Sequence, residues 1–284
     1  MVRAALCTAH DWAEDDVEII VIKTTGDLVQ DRALAEIGGK ALWTKELDRA
    51  LIAGEIDCAV HSMKDVETIR PAEITIAAML PRADVRDRLI GAESIDALRM
   101  GAVLGTSSPR RSAQVQRLRP DIRIVLLRGN VDTRLAKVAS GEIDATLLAA
   151  AGLDRLGRGE VGAAIPVDVM LPAPAQGAVG IEALADSAAA AQVAAIADPA
   201  TMACVGAERA LLAALGADCH SPMAALAVIA DGEMSLRGEL FSGDGCAQVS
   251  GTASGAAGDP GFAASLAADL LRRAPDAVRG HFGK

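Results

Sequence analysis

The 284-residue sequence contains no tyrosine, three phenylalanines and two tryptophans, so aromatic residues supply 2% of it. Its cores must be built from Ala, Val, Leu and Ile, within a hydrophobic share of 51%. That length suits two or three domains of ordinary size, and the abundance of alanine favours helix. No apolar run is long enough to span a bilayer. No basic start leads into an apolar stretch and a small-residue cleavage site. A soluble, cytoplasmic protein is therefore the expectation. No CxxC and no His/Cys cluster has zinc spacing, so no metal is expected. Cys7, Cys58, Cys204, Cys219 and Cys246 are odd in number and scattered, which argues against a disulfide framework. Two nucleotide signatures are missing: there is no GxxxxGK[ST], and no GxGxxG follows a strand. No serine-histidine-acid set stands out either. His61 reads as a structural histidine, and His10 and His281 carry no signal.

Basic residues are in the minority, 28 against 38 acidic, for a net charge of −10. Bulk attraction to nucleic acid is thereby disfavoured. The deficit is uneven, however. Between Gly101 and Lys137 stand seven arginines and one lysine against Asp121 and Asp132. A local cationic region in an acidic chain suits a small polyanion.

The first half alternates strand-like and helix-like segments. Val17–Thr25 is β-branched, Ala41–Gly54 reads as a helix with a glycine stop, and Asp57–Met63 and Glu73–Leu80 read as strands. Such alternation implies a largely parallel α/β sheet. The tetrapeptide Gly-Glu-Ile-Asp occurs at Gly54 and again at Gly141, each time between a helix end and an apolar strand. This repeat suggests two similar α/β lobes, an arrangement that commonly holds a ligand in a cleft. After Pro222, Asp231-Gly232 between two apolar runs signals a hairpin. A third strand around Gln248 and an amphipathic helix over Phe262–Ala274 complete a small α+β domain.

Three stretches can carry chemistry. HSMKDV follows a strand, which puts Lys64 and Asp65 where open α/β sheets build sites. GTSSPRRSAQ also follows a strand: Ser107 or Ser108 can cap a helix, Pro109 suits its first turn, and Arg110 and Arg111 add charge at an anion-binding N-terminus. LLRGNVDTRLAK adds Arg128, Arg134 and Lys137 after another strand. Arginine's planar fork matches a carboxylate or phosphate in bidentate fashion. LGADCHSP then places Cys219 on a polar connector before the last domain.

GGKALWTKEL, AVHSMKDV, GTSSPRRSAQ, LRGNVDTRLAK, AAAGLDRLG, LPAPAQGAVGIE and GADCHSP occur in an order that resembles the porphobilinogen deaminase (hydroxymethylbilane synthase) family of tetrapyrrole biosynthesis. The resemblance runs from about the first strand through Pro222 and more loosely to the C-terminus. It implies a monomeric transferase (EC 2.5.1.61) that joins four porphobilinogen units on a covalent dipyrromethane cofactor, releases ammonia, and frees the product by hydrolysis. It implies two lobes like those of periplasmic binding proteins with mixed, mainly parallel sheets, plus a small C-terminal α+β domain. The expected boundaries are 1–83 for the first lobe, completed by 176–199, then 84–175 for the second, and 200–284 for the domain carrying the cofactor cysteine.

Residue by residue, the resemblance makes Cys219 the attachment point and Asp65 the catalytic carboxylate. Lys64, Thr106, Ser107, Ser108, Arg110, Arg111, Arg128 and Gly129 would bind the cofactor. Lys40, Trp43, Arg134 and Gln176 would bind substrate. Trp43 stands where the family has phenylalanine, and Glu67 where it has proline. The family also opens with a strand and an Arg-x-Ser-Pro-Leu-Ala motif that contacts the cofactor. Met1–Leu6 resembles the middle of the helix that follows, so a first strand and half a helix are expected to be lacking. Two other readings stand beside the enzyme: a two-lobed binding protein for an anionic solute, which leaves Cys219 without a role, and an inactive truncated paralogue. No nucleic acid and no membrane is expected as a partner.

Overall fold

The computed structural model of the chain describes residues 1–22, 44–259 and 261–283. They form two compact units: Met1–Arg82 with Ala178–Val205, and Ala83–Gly177 with Gly206–Lys284. The first unit opens with α1 (Val2–His10) and α2 (Lys45–Ile52), then β1 (Cys58–Ser62) and β2 (Ile74–Met79). The second begins β3 (Asp87–Ile90), β4 (Val103–Gly105), α3 (Pro109–Leu118), β5 (Arg123–Val125), α4 (Val131–Ala139), β6 (Ala145–Ala149), α5 (Ala150–Arg155) and β7 (Ala163–Ala164). The chain returns to the first unit for β8 (Val179–Leu184) and α6 (Ala188–Ala194). After α7 (Pro199–Ala214) the second unit is completed by β9 (Met223–Ala230), β10 (Glu233–Phe241), β11 (Gln248–Ala256), α8 (Gly261–Arg273) and α9 (Asp276–Arg279).

In the first unit β8 lies between β1 and β2 and runs antiparallel to both. β1 and β2 therefore point the same way; the opposed strand is the one that enters by the return of the chain. Alternating side chains feed two cores. Ala78, Ile181 and Val193 pack with Leu6, while Ala59 and Ile74 pack with Leu51. A sheet covered on both faces explains why its strands are apolar nearly throughout.

The second unit holds a five-stranded sheet in the order β5-β4-β6-β3-β7. β4 is parallel to β5 and β6, and β3 runs against β6 and β7. Leu89, Leu104, Val115, Ile122, Ala145 and Leu147 fill its core. The C-terminal strands form an antiparallel meander, β11-β10-β9, with the hairpin turn at Asp231-Gly232. Ala224, Leu226 and Phe241 of the meander pack with Ala113 of α3 and Leu171. The fold is thus α/β with mixed sheets and a C-terminal α+β part.

Both Gly-Glu-Ile-Asp copies end a helix through a left-handed glycine, Gly54 at φ 69° and Gly141 at φ 75°. The segment expected as a strand from Val17 departs from expectation. Residues 17–22 form no strand, the rest of it lies outside the described residues, and Ile19, Ile20 and Val21 are exposed. β-branched composition favours a strand only when a neighbouring strand completes the ladder, and none of the described strands pairs with this segment.

Candidate active-site residues

In the first unit, β1 runs into a 3-10 turn, Met63–Asp65, that carries Lys64 and Asp65. Met63 anchors the turn: its side chain is buried, and its N–H donates to Ala178 O at 3.1 Å. It lies against Gly180 of β8, where an added Cβ would sit 2.0 Å from the Met63 sulfur. A Cβ at this position would force the Met63 side chain to shift. Asp65 is exposed, Lys64 half-buried. Asp65 lines a cavity of about 190 Å³ with Leu47, Val60, His61, Ser62 and Val66.

Beneath the turn lies a buried ionic network. His61 Nε2 is 3.0 Å from Glu182 Oε2. Arg70 forks onto the same carboxylate through Nε at 2.7 Å and Nη2 at 2.9 Å, and also pairs with Asp48 and Glu67. Burial alone would raise the Glu182 carboxyl, but its close contact with His61 and its hydrogen bonds from Arg70 outweigh that and hold the group below its ordinary range. Burial opposes the Arg70 charge, yet its bonds to Glu182 and Asp48 lift it above the ordinary arginine value. Glu67 is therefore part of this network, and it accepts the Thr44 hydroxyl at 2.9 Å.

The second unit gathers the arginines. Ser108 caps α3, accepting from Arg111 N at 3.4 Å, with Pro109 at the first helical position. Thr106 is buried, and its hydroxyl accepts from Ser108 N at 3.1 Å; Ser107 is half-buried. Arg110 and Arg111 both turn inward and share Asp87 at the start of β3. Oδ2 accepts from Arg110 Nη2 at 2.8 Å and Oδ1 from Arg111 Nη2 at 2.7 Å. Burial would raise the Asp87 carboxyl, but the two guanidinium charges hold it well below its usual range. Gln176 is buried and donates to Asp87 Oδ1 at 3.0 Å and to Val85 O at 2.7 Å.

Arg128 and Arg134 complete the cluster around Gly129, whose carbonyl accepts from Arg134 Nε at 2.9 Å. The buried Nη1 of Arg128 has no hydrogen-bond partner among the described residues. Arg134 is shifted below the ordinary arginine value by burial first, then by its neighbours Arg111 and Arg128. Asp87 is the only carboxylate ion-paired with any of these four arginines among the described residues. Lys137 pairs instead with Glu142 at 2.6 Å.

Cys219 sits exposed at the tip of a short loop, and no disulfide joins any of the five cysteines. The loop is tied at its base. Asp218 N donates to Ser221 Oγ at 3.1 Å, His220 N donates to Asp218 Oδ1 at 2.9 Å, and Ser221 N donates to Asp218 O at 3.1 Å. This Asx-type lacing holds the backbone on either side of Cys219.

The fold thus brings Thr106, Ser107, Ser108, Arg110, Arg111, Arg128, Gly129, Arg134 and Gln176 into one unit, and places Lys64 and Asp65 on one turn of the other. Lys40 and Trp43 lie outside the described residues. Sequence reading did not single out Asp87, Glu182 or Arg70. For Asp87 a signal existed: two adjacent arginines at a helix start need a counter-ion once buried, and VRDRLI offers an acid at a strand start.

Residues 1–192 match the family model for the porphobilinogen deaminase, dipyrromethane cofactor binding domain, and residues 202–272 the model for the porphobilinogen deaminase C-terminal domain. The chain is 57% identical to porphobilinogen deaminase of Sphingopyxis alaskensis, over 99% of this chain and 91% of that one. It is 48% identical to porphobilinogen deaminase of Paracoccus denitrificans, over 96% and 89%. Among solved structures, the periplasmic VFT2 domain of Bordetella pertussis BvgS aligns with a TM-score of 0.37 and 16% identity, covering 69% of this chain and 76% of that one. By two consecutive family models and by relatives of about this length, the chain belongs to the porphobilinogen deaminase family.

Proposed function

We propose that this chain is a working hydroxymethylbilane synthase, a transferase that condenses four porphobilinogen units with loss of ammonia, and that it holds its dipyrromethane through Cys219. The observation that carries the reading is the arginine cluster of the second unit, where Asp87 ion-pairs with Arg110 and Arg111 and no carboxylate among the described residues ion-pairs with Arg128 or Arg134.

The residues fit a group bearing acetate and propionate side chains. Among the described residues the buried Nη1 of Arg128 has no hydrogen-bond partner, and Arg134 is half-buried beside it. Both can take carboxylates in charge-assisted bonds. Cys219 is an exposed cysteine on a loop whose backbone is tied by Asp218 and Ser221. Bound there, the dipyrromethane would supply the pyrrole carbon that is extended. The chain's own residues do the rest. Arg128, Arg134 and Lys64 hold side-chain carboxylates, with Thr106, Ser107 and Ser108 as hydroxyl donors near the capped start of α3. Asp65, exposed on its anchored turn, accepts hydrogen bonds from pyrrole N–H groups and offsets positive charge that develops on the ring. Leu47, Val60 and Val66 line the cavity beside Asp65.

The reading includes the domain boundaries 1–83 with 176–199, 84–175 and 200–284, and a monomer working in the cytoplasm. A net charge of −10 supports a small-molecule substrate over nucleic acid. The test is to incubate the purified chain with porphobilinogen and measure ammonia and linear tetrapyrrole together. Four ammonia per product supports the function; substrate bound without ammonia release overturns it in favour of a binding protein.

A further inference from the structure

Arg110 and Arg111 are adjacent in sequence, 3% and 7% exposed, and carry the same charge. Two desolvated guanidiniums side by side repel each other and lack solvent. Asp87, at 1% exposure, is the group that lets them coexist. Its two oxygens are divided, one to each arginine, and the first-named arginine's other nitrogen, Nη1, donates to Leu171 O at 2.9 Å while that of Arg111 donates to Leu147 O at 2.9 Å. Each planar guanidinium is therefore fixed at two edges, which sets its orientation as well as its place. Arg110 also donates to Gln114 Oε1 at 2.9 Å, so its donors are largely committed inside the protein. Gln176 completes the Asp87 shell at 3.0 Å.

From this geometry we infer that Asp87 is a positioning residue for carboxylate recognition, which orients Arg111 beside Arg128 and Arg134 and offsets their mutual repulsion. Gln176 acts through Asp87 and not by touching substrate, and Arg110 serves as the inner strut of the same assembly. The inference rests on the proposal that the arginine cluster holds pyrrole side-chain carboxylates.

The experiment compares Asp87→Glu, Asp87→Asn and Arg128→Gln with the unaltered chain. Each is measured by thermal melting, by intact mass for the fraction carrying the covalent cofactor, and by kcat and KM for porphobilinogen. Asp87→Glu keeps the charge but displaces the carboxylate by one methylene. It is expected to melt near the parent, yet to lose cofactor occupancy and to raise KM about tenfold with a smaller change in kcat, the scale of one misdirected charge-assisted bond. Asp87→Asn leaves two buried charges uncompensated; if it does not fold, Asp87→Glu decides alone. Normal occupancy and KM in Asp87→Glu, with Arg128→Gln impaired, would overturn the role of Asp87 and leave the carboxylate reading standing. Arg128→Gln indistinguishable from the parent would instead remove the carboxylate reading, and this inference with it.

Discussion

His61 and Glu182 meet at 3.0 Å beneath the turn that presents Asp65, one on β1 and the other on the antiparallel strand beside it. Glu182 is fully buried and also clasped by Arg70. Removing one partner of such a buried network leaves the others without compensation. Glu182→Leu is expected to destabilise the fold by about 3–5 kcal/mol, measured by urea unfolding. A loss within the scatter of surface substitutions would mean that His61 and Arg70 find other partners.

The same carboxylate sets a pH dependence. The folded Glu182 binds its proton less tightly than the unfolded chain does, and so does Asp87. Their stabilisation is complete above the ordinary carboxyl range and is lost as pH falls through it. Melting temperature should therefore fall steeply on acidification below about pH 4, near unperturbed carboxyl values. It should fall less steeply in Glu182→Gln.

Glu239 of β10 behaves in the opposite sense. Burial raises its carboxyl, against attraction from Arg117 and Arg237. The folded state then favours the protonated form, so the charged form weakens the fold at neutral pH and the penalty disappears as pH falls. Glu239→Gln should raise the melting temperature at pH 8 and give no gain in acid. An equal gain at both pH values would point to a cause other than ionisation.

Met63 and Gly180 supply a test of how Asp65 is held. Gly180→Ala forces the Met63 sulfur away from a point 2.0 Å from the new carbon. Overpacking of this kind costs about 1–3 kcal/mol, and the turn moves with its anchor. Turnover should drop more than stability does, and Met63→Leu, which keeps the volume with a different shape, should leave turnover closer to normal. Unimpaired turnover in Gly180→Ala would show that the Asp65 turn is held by other contacts.

Asp65→Asn keeps the size of an exposed side chain and removes its charge. It should melt like the parent and lose about 10²–10³ in kcat, the effect of deleting one group that stabilises developing charge. Near-normal turnover would take the catalytic role from Asp65.

Much of this architecture is local and so can be read in the sequence. Ser108-Pro109 marks the start of α3, Asp231-Gly232 the hairpin, and the two Gly-Glu-Ile-Asp copies the helix-to-strand steps at Gly54 and Gly141. Each depends on backbone preferences over a few residues. The ionic groups are different. Asp87 meets Arg111 across 24 residues of chain, and Arg70 meets Glu182 across 112. No periodicity encodes such partners; they follow from strand order. The arginines were visible as a charge run, but their inward orientation was not, because a helix start looks the same whether its basic residues face ligand or a buried carboxylate. Val17–Val21 has strand composition but lacks a described partner strand, and composition alone could not reveal that.

Cys219 is the proposed attachment point of the dipyrromethane. Intact mass of the parent and of Cys219→Ala, each after incubation with porphobilinogen, tests it most directly. The parent should be heavier than its polypeptide by a dipyrromethane, and the Cys219→Ala chain should stand at its bare mass. A parent at bare mass, or a Cys219→Ala chain that keeps the added mass, would contradict it.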